Sequence, residues 1–397
     1  MKEALAGIRV LDCSTYKAGP TCAQILGDMG AEVIRVERIG GEEDRQLGLF
    51  TPDNQRLYLQ FTCRNKKAIT LNLREARGQE LLKKLVEKSD IVVENFGPVV
   101  NKKLGLNYTV LKAIKKDIIV VAISAYGQDG PYAQRLGYDS IAQAMCGLMY
   151  ATGFPGSPPV KLNVAFIDTA GGVYGALGAT FALFHRQRNG EGQLVDISLL
   201  DSAVSFMEST YAEHAVCNQI RPQVGNSNIL CAPYDAYQAK DGYFFFGVVG
   251  NKMWRRFLKT VGWEDLDDNP RFDTEWKRAK EENRRYFTER VNQWAADKTV
   301  AEVVKILNDA FVPCGPVNTI PQAAEDPQIK AREMIVELEH PGTGKIPLIG
   351  IPVKLSATPG QIKTPAPTVG EHNQEVYGGL LGLNAEELQK LQDEGII

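Results

Sequence analysis

Five short runs near the start of the chain constrain its fold more than anything else in it. IRVLDCS (8–14), AEVIRVE (31–37), KAITLNL (67–73), IVVENF (91–96) and DIIVVAISAYG (117–127) are rich in Val and Ile and show little polar alternation. Strands with water on one face alternate apolar and polar residues, whereas strands covered on both faces do not. Between these runs lie segments with apolar residues at helical spacing, PTCAQILGDMG and REARGQELLKKLVEKSD. The alternation predicts an α/β fold built on a mainly parallel sheet.

Beyond it, HRQRNGEGQLVDISLLDSAVSFMESTYAEHAV reads as turn, strand and helix. The texture changes near Pro222. YDAYQAKDGYFFFGVV predicts a hairpin turning at Lys240-Asp241-Gly242, and short charged helices follow. The chain of 397 residues therefore divides into a large domain over 1–221, a smaller α+β domain over 222–320, and a C-terminal segment over 321–397.

Composition excludes several classes. A formal net charge of -3 argues against nucleic acid as the main partner, although Lys66-Lys67 and Lys102-Lys103 are read as free to hold a small anion. Seven scattered cysteines without a C-x-x-C pair read as reduced thiols of a cytoplasmic protein. Four histidines with no H-E-x-x-H argue against a metal. The most apolar stretch, Thr169 to Phe184, is 16 residues, short of the roughly 20 that span a bilayer, so no membrane is expected.

The junction after the first strand, CSTYKAGPTCAQ, lacks the glycines of a dinucleotide-binding turn, and neither a P-loop nor a G-x-S-x-G elbow is present. Carboxylates remain. In AFIDTAGGVYGALGATFALF (165–184), Asp168 stands before a long small-residue segment whose glycines at 171, 172, 175 and 178 suit close packing of a neighbour. Two readings stand. Asp168 is a helix N-cap, the commoner role, or it is a nucleophile kept ionised by the helix start and reachable among small residues.

AGPTCAQILGDMGAEVIRVER (18–38), NKKAITLNLR (65–74), ENFGP (94–98), GYDSIAQAMCG (137–147), AFIDTAGG (165–172), GEGQLVDISLLDS (190–202) and CGPVNT (314–319) occur in one order. On these motifs the chain resembles the class III CoA-transferases, the CaiB/BaiF family, and within it the formyl-CoA transferase and acetyl-CoA:oxalate branch. The resemblance implies a Rossmann-like large domain completed by the far end of the chain, a small domain between, and an interlocked homodimer. It implies no permanently bound cofactor, with coenzyme A and acyl-CoA as substrates. The implied activity is reversible CoA transfer to a small acid such as oxalate, formate, acetate or succinate, through covalent aspartyl intermediates on Asp168.

By the same resemblance, Arg38 pairs with a CoA phosphate. Leu71 and Arg74 border the adenine and phosphates, Asn95 and Phe96 line the cofactor channel, Lys103 meets a phosphate, and Tyr138 and Asp139 stand near the nucleophile. The ordinary roles of such residues are a solvated cation for each Arg or Lys and a core side chain for Phe96. Two departures from that branch matter. Lys17 stands where it has Gln, a cation suited to a second carboxylate, and GNSNILCAPYD (225–235) has one glycine where the branch has a glycine-rich lid.

Two other functions are weighed. A 2-methylacyl-CoA racemase of this family uses a His in G-H-D, where this chain has Gly137-Tyr138-Asp139. A tyrosine hydroxyl, with an ordinary pKa of about 10, is a poorer base than an imidazole at about 6.5. A non-catalytic acyl-CoA-binding protein would keep the fold and Asp168 only as a cap.

Overall fold

The five Val/Ile runs and the later LVDIS segment form a six-stranded sheet in a computed structural model that describes residues 3–51 and 56–397. Its strands are β1 (Arg9–Asp12), β2 (Glu32–Glu37), β3 (Lys66–Thr70), β4 (Ile91–Glu94), β5 (Ile119–Ser124) and β6 (Leu194–Ser198), ordered β3-β2-β1-β4-β5-β6. Every neighbouring pair is parallel. Successive residues serve opposite faces. Val10, Val33, Val93 and Val121 enter one core cluster, while Leu11, Ile34, Val92 and Val120 enter the other. Both faces need cover, which explains the continuous apolar runs.

Helices supply that cover. Those with buried residues in the two clusters are α1 (Ala18–Asp28), α3 (Ala76–Glu87), α5 (Tyr108–Ile114), α6 (Asp139–Met145), α8 (Phe166–Asn189) and α9 (Leu199–Ser205); α2 (Leu57–Thr62), α4 (Pro98–Lys103), α7 (Leu148–Ala151) and α10 (Thr210–Cys217) lie between or after them in the chain. Residues of α1 and α8 share the first cluster. Leu81, Leu82, Leu85 and Val86 of α3 join the second, together with Val376, Tyr377, Leu391, Ile396 and Ile397 from the end of the chain.

The α8 glycines act as the spacing predicts. A Cβ on Gly172 would lie 2.8 Å from the Ala18 carbonyl and 2.8 Å from Thr21 Cβ, so α1 and α8 meet at backbone distance. On Gly178 it would lie 2.4 Å from Val195 Cγ1. Gly172→Val is expected to lower the thermal unfolding midpoint, with a stability loss of about 1–3 kcal/mol from overpacking. An unchanged midpoint would show that the two helices are free to separate.

Two compact units emerge: Met1–Leu148, Lys161–Tyr211 and Pro327–Ile397 in one, Met149–Val160 and Ala212–Asp326 in the other. Within the first, β10 (Ile335–His340) and β11 (Gly344–Ile349) pair as an antiparallel ribbon. The second has an antiparallel sheet of β7 (Tyr234–Gln238), β8 (Tyr243–Gly247) and β9 (Cys314–Pro316). Its hairpin turns at Lys240-Asp241-Gly242, where the Ala239 N–H donates to the Gly242 carbonyl at 2.8 Å. Helices α11 (Asn251–Val261), α12 (Glu275–Arg278), α13 (Glu281–Ala295) and α14 (Val300–Asp309) accompany it, around a core that includes Phe244, Phe246, Trp254, Phe257 and Phe287. Among the described residues no helix is long and apolar enough to cross a membrane. All seven cysteines are free thiols.

Candidate active site

Chain reversal between β1 and β4 splits the sheet order, and the crevice at the carboxyl ends of these strands is where doubly wound sheets bind ligands. The turn after β1 is fastened from several sides. Asp12, fully buried, accepts from the Ser14 N–H at 3.1 Å and from Lys66 Nζ at 2.7 Å. Asn95, just after β4, accepts the Thr15 N–H at 2.8 Å and returns a bond from Nδ2 to the Thr15 carbonyl at 2.7 Å. The Tyr16 N–H donates to Asp44 at 3.0 Å, and Arg35 holds that carboxylate through two bonds of 2.7 and 2.8 Å. These ties hold Tyr16 at φ 62°, a left-handed conformation costly for a residue with a side chain.

Lys17 follows, half-buried, and its ammonium makes no hydrogen bond or ion pair among the described residues. Burial lowers its pKa, and the charge of Asp168 opposes that effect. The two side chains are thus close enough to feel each other without pairing directly.

Asp168 is not the cap of its helix. α8 begins at Phe166, its capping position is Ala165, and no side chain of that residue bonds the first turn. The cap comes from elsewhere. Asp139, buried at the start of α6, accepts the Ile167 N–H at 2.6 Å and the Asp168 N–H at 3.1 Å on one oxygen. Its other oxygen accepts from Gln143 Nε2, whose own Oε1 accepts the Leu162 N–H at 3.0 Å. Because Asp139 occupies the N–H groups, the Asp168 carboxylate is left without a hydrogen bond or ion pair among the described residues.

The expected electrostatics of Asp168 are also corrected. Rather than being favoured as an ion by the helix start, its carboxyl is pushed up to about 6 by burial and then by the charge of Asp139, with Lys17 pulling the other way. At pH 7 such a group is still about nine-tenths ionised. It is a stronger base than an ordinary aspartate and remains available as a nucleophile.

The other anticipated residues follow the carboxyl ends of β2, β3, β4 and β5 in the chain and are in different states. Arg38 follows β2. It is exposed, and its Nε donates to the Gly41 carbonyl at 2.8 Å while its Nη1 lies 3.4 Å from Glu43. The Leu71 side chain is 1% exposed within the core, so any contact it makes with a ligand is through its backbone. Arg74 and Lys103 are exposed and carry no side-chain partner among the described residues. Phe96 is half-buried, and its N–H donates to Glu94 at 2.8 Å. Tyr138 stands at the head of α6 and is 65% exposed.

The Lys66-Lys67 pair is not free for an anion. Lys66 is buried against Asp12, and Lys67 bridges Glu32 at 2.6 Å and Glu375 at 2.7 Å. Tyr58 on α2 was not anticipated from sequence. Burial raises its pKa, and Asp44 and Asp168 add to the effect, which places its hydroxyl in the field of the Asp168 carboxylate. Nothing in the spacing of LYLQFT marks it; only the fold brings it there. The residues 225–235 lie in the second unit. Among the described residues no three His, Cys, Asp or Glu side chains gather into a group that could hold a metal ion.

Fold and site together define a doubly wound α/β protein distinguished by a carboxylate, unpartnered among the described residues, at the first turn of a glycine-packed helix. The chain belongs to CoA-transferase family III, whose model matches residues 5–373. It is 35% identical over 395 residues to succinyl-CoA–D-citramalate CoA-transferase of Chloroflexus aurantiacus, covering 99% of this chain and 98% of that protein. It is 32% identical to formyl-CoA:oxalate CoA-transferase of Streptomyces avermitilis, covering all of both, and 32% identical to succinyl-CoA:glutarate CoA-transferase of Mus musculus, covering 100% and 90%. A crystal structure of a CAIB/BAIF family protein from Brucella suis superimposes with a TM-score of 0.84 at 31% identity, covering 96% of this chain and 100% of that one. The protein is thus a CoA-transferase, an enzyme whose substrate is a CoA thioester.

Proposed function

We propose that this enzyme moves CoA from an acyl-CoA donor to a small free carboxylic acid through covalent intermediates on Asp168. The observation that carries this reading is the Asp168 carboxylate itself, half-buried, unpartnered among the described residues, and relieved of capping duty by Asp139. An Asp168 oxygen attacks the thioester carbonyl, forming an aspartyl mixed anhydride and releasing CoA thiolate. The thiolate attacks the Asp168 carbonyl, giving an aspartyl-CoA thioester and freeing the donor acid with one Asp168 oxygen. The acceptor carboxylate then attacks that thioester, and the thiolate released takes the acceptor's acyl group, returning Asp168 with one acceptor oxygen. Every step exchanges one acyl bond for another, so thioester energy is kept and water takes no part.

Asp139 is the positioning residue in this scheme, and Tyr58 and Tyr138 border the acyl group. Arg38, Arg74 and Lys103 supply cations for the CoA phosphates, beside Leu71, Asn95 and Phe96. Lys17 selects the acid. A half-buried ammonium with no partner among the described residues calls for an anion, and beside a nucleophile that already accounts for one carboxylate it fits a dicarboxylate such as succinate or oxalate. Two of the relatives above are named for succinyl-CoA. Lys17→Gln is expected to raise KM for succinate about tenfold or more while leaving KM for acetate within about twofold, measured by steady-state exchange. Equal effects on both acids would remove Lys17 from substrate selection.

The active form is read as an interlocked homodimer. Val173, Leu177, Phe181 and Phe184 recur along one face of α8 and are 45–63% exposed, a stripe suited to cover by a second copy. The functional reading is tested by mixing the enzyme with succinyl-CoA, acetyl-CoA or formyl-CoA and a panel of free acids, then identifying each acyl-CoA product by mass spectrometry. New acyl-CoA species support it; hydrolysis alone, or no reaction, opposes it.

A further inference from the structure

The residue just before Asn95 and Phe96 is a carboxylic acid with no base to match it among the described residues. Glu94 ends β4 and is fully buried. Its Oε2 accepts the Phe96 N–H at 2.8 Å and its Oε1 accepts from Asn101 Nδ2 at 3.1 Å. No cationic side chain pairs with it among the described residues. Its neighbour in register on β5 is Ala122. The titratable groups that face it are the Cys13 thiol on the turn after β1 and the Asp196 carboxyl on β6, with Asp129 and Asp201 acting on Asp196 from beyond.

A second observation comes from the neighbouring amides. Asn101 Nδ2 also donates to Gln128 Oε1 at 3.1 Å, and Gln128 Nε2 is buried without a partner. With a carboxylate at 94 this arrangement leaves that donor unsatisfied, which is costly. With a proton on Glu94 and both amides turned over, the Glu94 O–H and Gln128 Nε2 both donate to Asn101 Oδ1, and the buried group left over is the Gln128 carbonyl oxygen, an unpaired acceptor being less costly than an unpaired N–H.

We infer that Glu94 works as a neutral acid, a positioning residue that holds the Asn95–Phe96 segment while keeping negative charge from beneath the bound acyl-CoA. The inference rests on the reading of that segment as part of the acyl-CoA channel. Burial, reinforced by Asp196, pushes the Glu94 carboxyl up to about 8, against its bonds from Phe96 and Asn101. Raising the pH through that range places an uncompensated charge near a ligand that is itself anionic.

The test is KM for succinyl-CoA against pH from about 7 to 9.5, with dissociation constants for the same thioester measured by calorimetry in the absence of acceptor acid. In the wild type KM and Kd are expected to rise about tenfold through the upper range while kcat is unchanged. In Glu94→Gln both stay flat near the wild type's low-pH values. In Asp196→Asn, which removes a charge acting on Glu94 but keeps a hydrogen-bond acceptor, the rise begins at lower pH. A rise unchanged in Glu94→Gln, or in Asp196→Asn should Glu94→Gln not fold, overturns the inference. So does a Glu94→Gln enzyme that binds weakly at every pH, which would mark a purely structural role. Absence of exchange at any pH would count against the functional reading instead, and the calorimetric profile still decides the question of the proton.

Discussion

Replacing Asp168 by Asn is expected to lower CoA exchange by at least about 10⁴-fold while making the folded protein more stable at neutral pH. Loss of activity follows because the amide retains the size of the side chain but cannot attack a thioester or form an anhydride. The gain in stability follows from the electrostatics. Burial and Asp139 raise the Asp168 carboxyl to about 6 from an ordinary value of 3.8. A carboxyl whose folded pKa is raised binds more protons when folded. The destabilisation is therefore absent below the unfolded value, grows between 3.8 and about 6, and is complete above it. Removing the charge at pH 7 should return on the order of 1–3 kcal/mol, read as a higher unfolding midpoint. The same shift sets the acid limb of activity: exchange should fall as the pH drops through about 6, because the nucleophile becomes protonated. A variant that is inactive and less stable would mean that Asp168 supports the fold.

Asp139 yields the second large effect, and two substitutions separate its roles. Asp139→Ala removes the acceptor for the Ile167 and Asp168 N–H groups. It should cost about 1–2 kcal/mol of stability, as loss of a helix cap does. It should also lower kcat by about 10²-fold, because Asp168 would turn back to cap its own helix. Asp139→Asn keeps an acceptor oxygen but removes the charge that raises Asp168. Its helix should hold, and its acid limb should move to lower pH than the wild type's. The pH profile of kcat/KM checks this directly. An acid limb left in place by Asp139→Asn would show that Asp139 acts on Asp168 by geometry alone.

The parts of this account readable in the sequence are those that depend on neighbours in the chain. Val and Ile runs at 9–12, 91–94 and 119–124 announce strands buried on both faces, because burial on each side confines polar residues such as Asp12, Glu94 and Ser124 to the strand ends. The glycine spacing of α8 announces close helix approach. The site depends on residues far apart in sequence. Asp168 looked like a cap because nothing nearby in the chain competes for the helix N-terminus; the residue that does, Asp139, is 29 positions upstream. Lys66 looked like a free cation because its partner, Asp12, lies 54 positions away on β1. Tyr58 and Glu94 carry no local signal at all. Their character comes first from burial, to which the fold adds the charges of Asp44 and Asp168 beside Tyr58 and of Asp196 beside Glu94.

The central claim is that an oxygen of the acceptor acid passes through Asp168. The most direct measurement supplies a carboxylic acid acceptor labelled with ¹⁸O, allows turnover with an acyl-CoA donor in ordinary water, and locates the label by mass spectrometry of peptides. The scheme predicts one heavy oxygen in the peptide carrying Asp168, and heavy oxygen in the donor acid released in the following turnover. Label on a different carboxylate, or turnover that leaves every protein carboxylate unlabelled, would contradict it.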